Sequence, residues 1–222
     1  SQIPDQPPKK KHAVEYLIDA FDQSPGEITL VAIGPLTNIA GAIRLDPTIS
    51  DKIKEIFIMG GAIKHGGNTT PLAEFNIFAD PHAAHIVFQS GIPITLTPLD
   101  VTYQCLLTAD DVRSIQEKES RIADFIADAT RFYMEFHDSY QGIEGCIIND
   151  PLALALVYAP ELCQYQDLFV GVDYSPGPGQ GKSYADFFRM EKKPPNMRVA
   201  MEVSSRDFID HFVKRVKRYL DN

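Results

Sequence analysis

Short apolar runs that alternate with helix-like patterns are the most regular feature of this chain. The runs are rich in β-branched and aromatic residues, which is typical of buried strands. They cover residues 28–33, 55–59, 94–97, 168–172 and 197–203. Runs that are apolar throughout, instead of alternating, indicate strands covered on both faces of a parallel sheet. Strands that alternate with helices therefore predict an α/β fold with a mostly parallel central sheet flanked by helices.

Between the runs, apolar residues recur every three or four positions, as they do along one face of a helix. This pattern predicts helices over residues 13–21, 37–45, 81–90, 108–117, 120–140 and 150–158, and after residue 203. The apolar side of the long helix carries Ile122, Phe125, Ile126, Ala129, Tyr133 and Phe136. The last helix has an apolar stripe, and Ser204 with Asp207 predicts a capping box at its start.

A long loop is predicted between the strand 55–59 and a helix that starts at Asp80-Pro81. Loops that follow strands of an α/β sheet line the crevice in which ligands bind. This one carries Asn68, Glu74 and Asn76. A carboxylate and two amides can hold a polyhydroxylated ligand such as a sugar, because each hydroxyl both donates and accepts hydrogen bonds. The alternative is a surface loop in which these residues only stabilise turns.

Composition and charge exclude some classes of function. With 21 Lys and Arg against 30 Asp and Glu, the chain has a formal charge of -9, which argues against nucleic acid as a partner. No apolar run has the roughly 20 residues of a membrane helix. A single domain is expected over residues 1–222, with 1–11 as an arm and no signal peptide visible. Three cysteines without CxxC spacing suggest free thiols in a reducing compartment, hence the cytoplasm.

Two motif-like segments fail simple chemical tests. The segment GQGKS resembles a phosphate-binding loop, but Pro176 occupies the position that requires the first glycine. His82 and His85 are spaced as HAAH and lack a third metal ligand, so they are expected on the surface.

Three motifs in order resemble the inosine–uridine-preferring nucleoside hydrolase family, over essentially the whole chain. They are VAIGPLTNIA (31–40), the pattern GGA…GN-x-TP-x-AEFN-x-x-x-DP (60–81) and INDPLALAL (148–156). The resemblance implies a Rossmann-like fold and hydrolysis of the N-glycosidic bond of ribonucleosides to ribose and free base. It also implies a Ca²⁺ ion that activates the attacking water. The family forms dimers and tetramers, so a homodimer or homotetramer is expected.

The resemblance assigns a ribose-binding set to the second motif. Contacts to the ribose hydroxyls carry over to Asn68, Glu74 and Asn76. Met59, at the end of its strand, matches a residue under the sugar, and Phe75 is expected to pack near the ring. From the residues alone, Met59 and Phe75 are equally well explained as core.

The first and third motifs carry the implied metal and leaving-group positions. Asp150 and the backbone carbonyl of Ile33 correspond to calcium ligands. Read by itself, Asp150 before Pro151 is also a good helix N-cap. Asn149 stands where many family members place a histidine that protonates the departing base, and an amide cannot serve as that acid. His137 or Tyr140, late in the long helix, is a candidate contact to the base.

One family motif has no counterpart in this sequence. The family begins with a strand and an aspartate cluster, D-x-D-P-G-x-D-D, which supplies most calcium ligands and the general base. Asp5, Asp19 and Asp22 do not replace it, because they lie in the arm or in and just after the first helix. The sequence is therefore also compatible with a non-catalytic ribose-binding or nucleoside-binding homologue, or with a chain that needs a separate N-terminal piece for activity.

Overall fold

The computed structural model of the protein describes residues 10–221, so most of the predicted arm 1–11 lies outside it. The strands are Thr29–Ala32 (β1), Glu55–Met59 (β2), Ile94–Thr97 (β3), Leu106–Leu107 (β4), Cys146–Ile147 (β5), Cys163–Leu168 (β6), Val170–Val172 (β7), Ser183–Ala185 (β8) and Met197–Val203 (β9). The helices are Ala13–Gln23 (α1), Thr37–Leu45 (α2), Phe75–Ala79 (α3), Pro81–Phe88 (α4), Leu99–Thr102 (α5), Ala109–Gln116 (α6), Arg121–Gln141 (α7), Asp150–Ala155 (α8) and Ser205–Leu220 (α9). Two short 3-10 helices lie at Pro47–Asp51 and Pro160–Leu162.

The central sheet is mostly parallel, as the apolar runs predict. Within residues 10–221 its strand order is β1-β2-β3-β9-β6. The first four strands pair in parallel, and β6 pairs antiparallel to β9 at one edge. Two small antiparallel ladders, β4–β5 and β7–β8, lie beside this sheet.

Strand β2 shows why a run without alternation indicates a strand covered on both faces. Ile56 and Ile58 pack into one hydrophobic core, which also contains residues of α1, α2 and α4. Phe57 packs into a second core on the opposite face, with residues of α8 and α9. Successive side chains of a strand point to opposite faces, so both faces of β2 must be apolar.

The predicted strand 168–172 is wrong in one respect, because it spans two strands of different ladders. β6 ends at Leu168 and β7 begins at Val170. The side chain of Asn196 lies at this junction, where its Oδ1 accepts the N–H of Val170 at 2.8 Å and its Nδ2 donates to the Val170 carbonyl at 3.0 Å. The Asn196 side chain thus pairs both backbone groups of Val170 where the chain leaves the central sheet.

Two helix predictions also need correction. The N-cap of α9 is Ser204, but its side chain makes no capping hydrogen bond, so the predicted capping box is not formed. In α7 the residues buried against the protein are Ala123, Ala127 and His137, whereas Phe125 and Phe136 of the predicted apolar side are 71% and 42% exposed. Ala123 and Ala127 allow a close approach of the helix to its neighbours, and Met134 also packs against the second core.

Candidate functional site

Most of the predicted site residues lie after the carboxyl ends of β1 and β2 and at the start of α8. Met59, the last residue of β2, belongs to a small buried cluster with Ala62, Leu99 and Ala153. Ala153 lies in α8, so this cluster places the start of α8 beside the end of β2. The loop and helix that follow β2 approach from the other side. The fold therefore brings the second and third sequence motifs together.

Glu74 is a buried helix cap at the centre of this arrangement. The residue is 2% exposed, and its carboxylate accepts the backbone N–H groups of Asn76 at 2.9 Å and Ile77 at 3.1 Å. It also accepts the N–H of Gly61 at 3.0 Å and so ties the end of β2 to α3. A carboxylate offers about four acceptor positions, which leaves roughly one for a ligand. Burial raises the pKa of Glu74, and these hydrogen bonds only partly oppose that shift.

The sequence prediction of one uninterrupted loop from Gly60 to Asp80 is therefore wrong, because the short helix α3 lies within it. The sequence signal was present, since Glu74 occupies the N-cap position before an apolar turn. Glutamate is a less usual N-cap than Ser, Thr, Asp or Asn, so the N-cap preferences do not point to this position.

Asn76 is held against the end of strand β2. Its Nδ2 donates to the backbone carbonyl of Met59 at 3.1 Å and lies 3.4 Å from the Met59 sulfur. Both side chains are buried, with 7% and 3% exposed. These contacts fix the orientation of the carboxamide before any ligand arrives, which is the preorganisation that a binding group needs.

Asn68 and Phe75 form the more exposed part of the site. The Asn68 Oδ1 accepts the N–H of Phe75 at 2.9 Å, so the loop closes onto the first turn of α3. The Phe75 side chain is 55% exposed, and it is not a core residue. An exposed aromatic ring next to the Asn68 amide can pack against the face of a sugar.

Asp150 and Ile33 line one shared groove. The groove has a volume of about 550 Å³, and its other lining residues are mostly apolar side chains of α7, α8 and α9. Asp150 lies in the first turn of α8, whose N-cap is Asn149, so the alternative of a simple Asp150 cap does not hold. Burial raises the pKa of Asp150, and the charge of Asp150 contributes to the raised pKa of Glu74.

The described residues do not fit a calcium ion by themselves. Ca²⁺ takes about six to eight oxygen ligands, several of them from carboxylates. Asp150 and the Ile33 carbonyl would supply two, and no group of three or more His, Cys, Asp or Glu side chains placed to hold a metal ion occurs within residues 10–221.

Asn149 lies against Tyr133, a residue whose spacing predicts only a place on the apolar side of α7. The side chain of Asn149 hydrogen-bonds the Tyr133 hydroxyl, whose pKa is raised mainly by burial. The Asn149 Oδ1 is buried, and no partner for it occurs in the described part of the chain. Aromatic spacing in α7 could not identify Tyr133 as a site residue, because core-facing and site-facing positions follow the same helical period.

The two predicted base contacts in α7 have different surroundings. His137 is 3% exposed, its Nδ1 lies 2.8 Å from the Tyr133 carbonyl, and its ring packs edge-on against Tyr133 at 4.3 Å. Tyr140 is 78% exposed and contacts Phe136. His137 therefore contacts Tyr133, which in turn hydrogen-bonds Asn149. Tyr140 is one of the exposed residues of α7.

A mostly parallel sheet with polar side chains gathered at its carboxyl edge defines the class of α/β proteins that bind small ligands in this crevice. The family model described as inosine-uridine preferring nucleoside hydrolase matches residues 1–210 of the chain. The chain therefore belongs to that family.

Relatives of known name agree with this assignment. The pyrimidine-specific ribonucleoside hydrolase RihB of Shigella flexneri is 38% identical over 209 residues, a match that covers 94% of this chain and 66% of that protein. The chain thus spans just under two thirds of the length of this relative.

Solved structures show the same fold. The purine-preferring ribonucleoside hydrolase from Gardnerella vaginalis has a TM-score of 0.90 and 34% identity, over 99% of this chain and 70% of the other. A plant nucleoside hydrolase, PpNRh1, has a TM-score of 0.91 and 31% identity, over 96% of this chain and 69% of the other.

Within residues 10–221, no helix is both long and apolar enough to cross a membrane.

Proposed function

We propose that the protein to which this chain belongs hydrolyses the N-glycosidic bond of ribonucleosides and releases ribose and free base. The observation that carries the proposal is the gathering of Met59, Asn68, Glu74 and Asn76 at the end of β2, beside the helix α8 that carries Asp150. Membership of the nucleoside hydrolase family supports the same reaction. The names of the relatives include both pyrimidine-specific and purine-preferring enzymes, so no base preference is proposed.

The residues of this chain have distinct tasks in such a reaction. Cleavage passes through a ribosyl cation-like state, in which contacts to the sugar hydroxyls strengthen as the ring flattens. Asn68 and Asn76 bind these hydroxyls, and Glu74 contributes its remaining acceptor position while it caps α3. Met59 lies beneath the sugar, and Phe75 covers an adjacent face. Because these side chains are already held by the fold, little ordering is required when the substrate binds.

Residue 149 cannot protonate the departing base, so the departure of the base requires a different arrangement. The Asn149 amide has no titratable proton at neutral pH, so it cannot act as a general acid. It can hold a hydrogen bond to the base while Tyr133 fixes its orientation. We therefore propose that Asn149 and Tyr133 orient the leaving group, and that the rate does not depend on a titrating group at position 149.

A bound Ca²⁺ ion would need more ligands than the described residues of this chain supply. Asp150 and the Ile33 carbonyl are the positions of this chain that would face the ion. The other carboxylates that Ca²⁺ needs have to come from outside residues 10–221.

A second candidate is a binding protein that keeps the sugar contacts and lacks catalysis. The observation in its favour is the incomplete metal-ligand set among the described residues. It differs from the first candidate in one measurable property, because a binding protein should hold ribose or nucleoside with little affinity for Ca²⁺.

The test of the proposal is an assay of ribose release from inosine and uridine by the protein to which this chain belongs. The release is measured with Ca²⁺ and with a chelator. Calcium-dependent release that is lost in Asn68→Ala and kept in Gln89→Ala supports hydrolysis at this site. Gln89 is a suitable control because it is an exposed carboxamide at the C-terminal end of α4, which leads into the start of β3 and not its carboxyl end. Binding of ribose without release would instead support the second candidate, and absence of both would contradict each of them.

An assembly of several chains is also proposed, from the family resemblance, as a homodimer or homotetramer. The cytoplasm is proposed as its location, because Cys105, Cys146 and Cys163 are all free thiols. Sedimentation velocity at several concentrations tests the assembly, and a monomer at every concentration would contradict it.

A further inference from the structure

The backbone between strand β2 and the sugar-binding residues is held by two charged side chains from distant parts of the chain. We call residues 62–65 the connecting loop. The Asp100 carboxylate accepts the N–H groups of Ile63 at 2.8 Å, Lys64 at 2.7 Å and His65 at 3.2 Å. Asp100 lies in α5, which follows the neighbouring strand β3, so this contact joins the ends of two adjacent strands.

Lys182 holds the carbonyl groups of the same loop. Its Nζ donates to the carbonyl of Ala62 at 2.6 Å and lies 3.3 Å and 3.5 Å from the carbonyls of Ile63 and His65. An ammonium group has three N–H donors, which matches these three acceptors. Burial lowers the pKa of Lys182, and the charge of Asp100 opposes that shift. This lysine is the one in the GQGKS segment that failed the test for a phosphate-binding loop.

The two charges match the polarity of the loop backbone. A segment without regular secondary structure must find partners for its N–H and C=O groups. Here the N–H groups meet an anion and the C=O groups meet a cation, so both sets form charge-assisted hydrogen bonds. The neighbouring Ser183 hydroxyl accepts the Ala62 N–H at 2.8 Å, which adds an uncharged contact at the same point.

We propose that Lys182 and Asp100 are positioning residues that fix the connecting loop and, through it, the sugar-binding segment. This inference rests on the proposed function for the role of Asn68 and Glu74. The loop leads directly into the segment that contains Asn68, and Gly61 just before it donates its N–H to Glu74. Asn68 in turn accepts the Phe75 N–H. Release of the loop should therefore loosen contacts that lie beyond it.

The test compares Lys182→Met with Lys64→Met in the full chain. Methionine keeps much of the length of lysine and removes all three donors. Lys64 is a matched control because it is a lysine of the same loop whose side chain is exposed. Its Nζ lies over the Phe187 ring, 4.8 Å from the ring centre, whereas the Lys182 Nζ contacts the loop carbonyls. Three quantities are measured for each variant: amide hydrogen exchange, ribose affinity by calorimetry and the midpoint of thermal unfolding.

In Lys182→Met the loop carbonyls lose their contacts with the ammonium group, so the loop should leave Asp100 more often. We therefore expect amide exchange at Ile63, Lys64 and His65 to become at least about tenfold faster. We expect the Phe75 amide, beyond the loop, to exchange faster as well. The ribose Kd should rise about tenfold, whereas the unfolding midpoint should change by only a few degrees. Lys64→Met should resemble the wild type in all three measurements. Asp100→Asn should change exchange and affinity in the same direction as Lys182→Met.

Several results would overturn the proposal. Unchanged exchange in the connecting loop would show that Lys182 does not hold it. Faster exchange in the loop with an unchanged Phe75 amide would show that the effect stops before the sugar-binding segment. Faster exchange throughout the chain, with a large fall in the unfolding midpoint, would show a merely structural role. If the wild type binds no ribose, the proposed sugar site fails, and the Phe75 amide still decides whether the loop positions the segment.

Discussion

At the scale of single residues, Glu74 has two roles, because the family motif and the stability of the fold both depend on its side chain. The motif assigns it to the sugar, while the structure commits it to three backbone N–H groups. Its carboxylate thus closes the end of β2 onto α3 before any ligand is present. Asn76 likewise uses its Nδ2 to hold the Met59 carbonyl. The binding groups are therefore also structural groups, and their substitution affects both stability and affinity.

Substitution of Glu74 by glutamine should lower the free energy of unfolding by about 1–3 kcal/mol, because one of the backbone N–H groups then faces an NH₂ group. Glu27→Gln, at an exposed carboxylate, should change it by less than about 0.5 kcal/mol. Urea unfolding at pH 7 measures both. Equal effects of the two substitutions would contradict the assigned role of Glu74.

The comparison of the wild type with Glu74→Gln also predicts how stability depends on pH. Burial raises the pKa of Glu74 above its ordinary value of 4.5 in the unfolded chain. The folded state therefore holds the proton more tightly, and the stabilisation from this group is fully present below pH 4.5 and lost as pH rises through the folded pKa. Because glutamine does not titrate, the stability advantage of the wild type over Glu74→Gln should be larger at pH 4 than at pH 7. A larger advantage at pH 7 would mean that the pKa is lowered.

At the scale of elements, helix α7 differs most from its pattern. Ala127 is 5% exposed and packs into the second core, whereas Phe132 is 73% exposed. Periodicity alone favours the aromatic side as the buried one, because aromatic residues bury the larger area. The structure instead packs the side with small residues, and the aromatic side runs along the surface toward the groove that Ile122 and Ile126 line.

Two substitutions in α7 should separate these faces. Ala127→Leu adds volume to a close-packed core and should destabilise the protein by about 1–3 kcal/mol. Phe132→Ser, on the exposed side, should change stability by no more than about 0.5 kcal/mol. Guanidinium unfolding measures both, and the reverse order of the two effects would show that the aromatic side is the buried one.

Helix caps give a second prediction at this scale. Thr108 and Asp111 form a complete capping box at the start of α6, with the Asp111 N–H 3.2 Å from the Thr108 hydroxyl and the Thr108 N–H 3.0 Å from the Asp111 carboxylate. Thr108→Ala should therefore cost about 1 kcal/mol. Ser204→Ala should cost less than about 0.5 kcal/mol, because Ser204 makes no capping hydrogen bond. Thermal unfolding of the two variants compares them directly, and a larger cost at Ser204 would contradict the observed geometry.

At the scale of the whole molecule, the second core contains all three cysteines. Burial raises the pKa of Cys105 and Cys163 to about 12 and that of Cys146 to about 11. Each thiol is therefore both inaccessible and protonated at neutral pH. The three thiols together report whether the core on that face of the sheet is intact.

These thiols should react with Ellman's reagent at pH 8 at least about a hundredfold more slowly than a free thiol, because the thiolate is the reactive form. All three should react at the free-thiol rate once the protein is unfolded in guanidinium. Fast reaction of one thiol in the native protein would show that its part of the core opens locally.

Much of the fold could be predicted from the sequence, because the signals are local. Strands β3 and β9 and helix α2 have the bounds that their apolar patterns predict. The short helices α3 and α5 and the edge strand β6 could not be predicted in this way. Each depends on contacts with distant residues or lacks the length over which a period can be recognised. The site residues came from family motifs, whereas Tyr133, Asp100 and Lys182 became visible only through their contacts.

The sequence by itself determined the α/β class, the parallel core strands and the family, since these depend on residue order and periodicity. Only the tertiary structure decided which face of α7 is buried, that Glu74 caps α3, and that Lys182 meets the loop beside Asp100. The reason is physical: a hydrogen bond between residues 120 positions apart leaves no periodic trace in the chain. Such a bond exists only where the folded sheet brings its carboxyl ends and the following loops together.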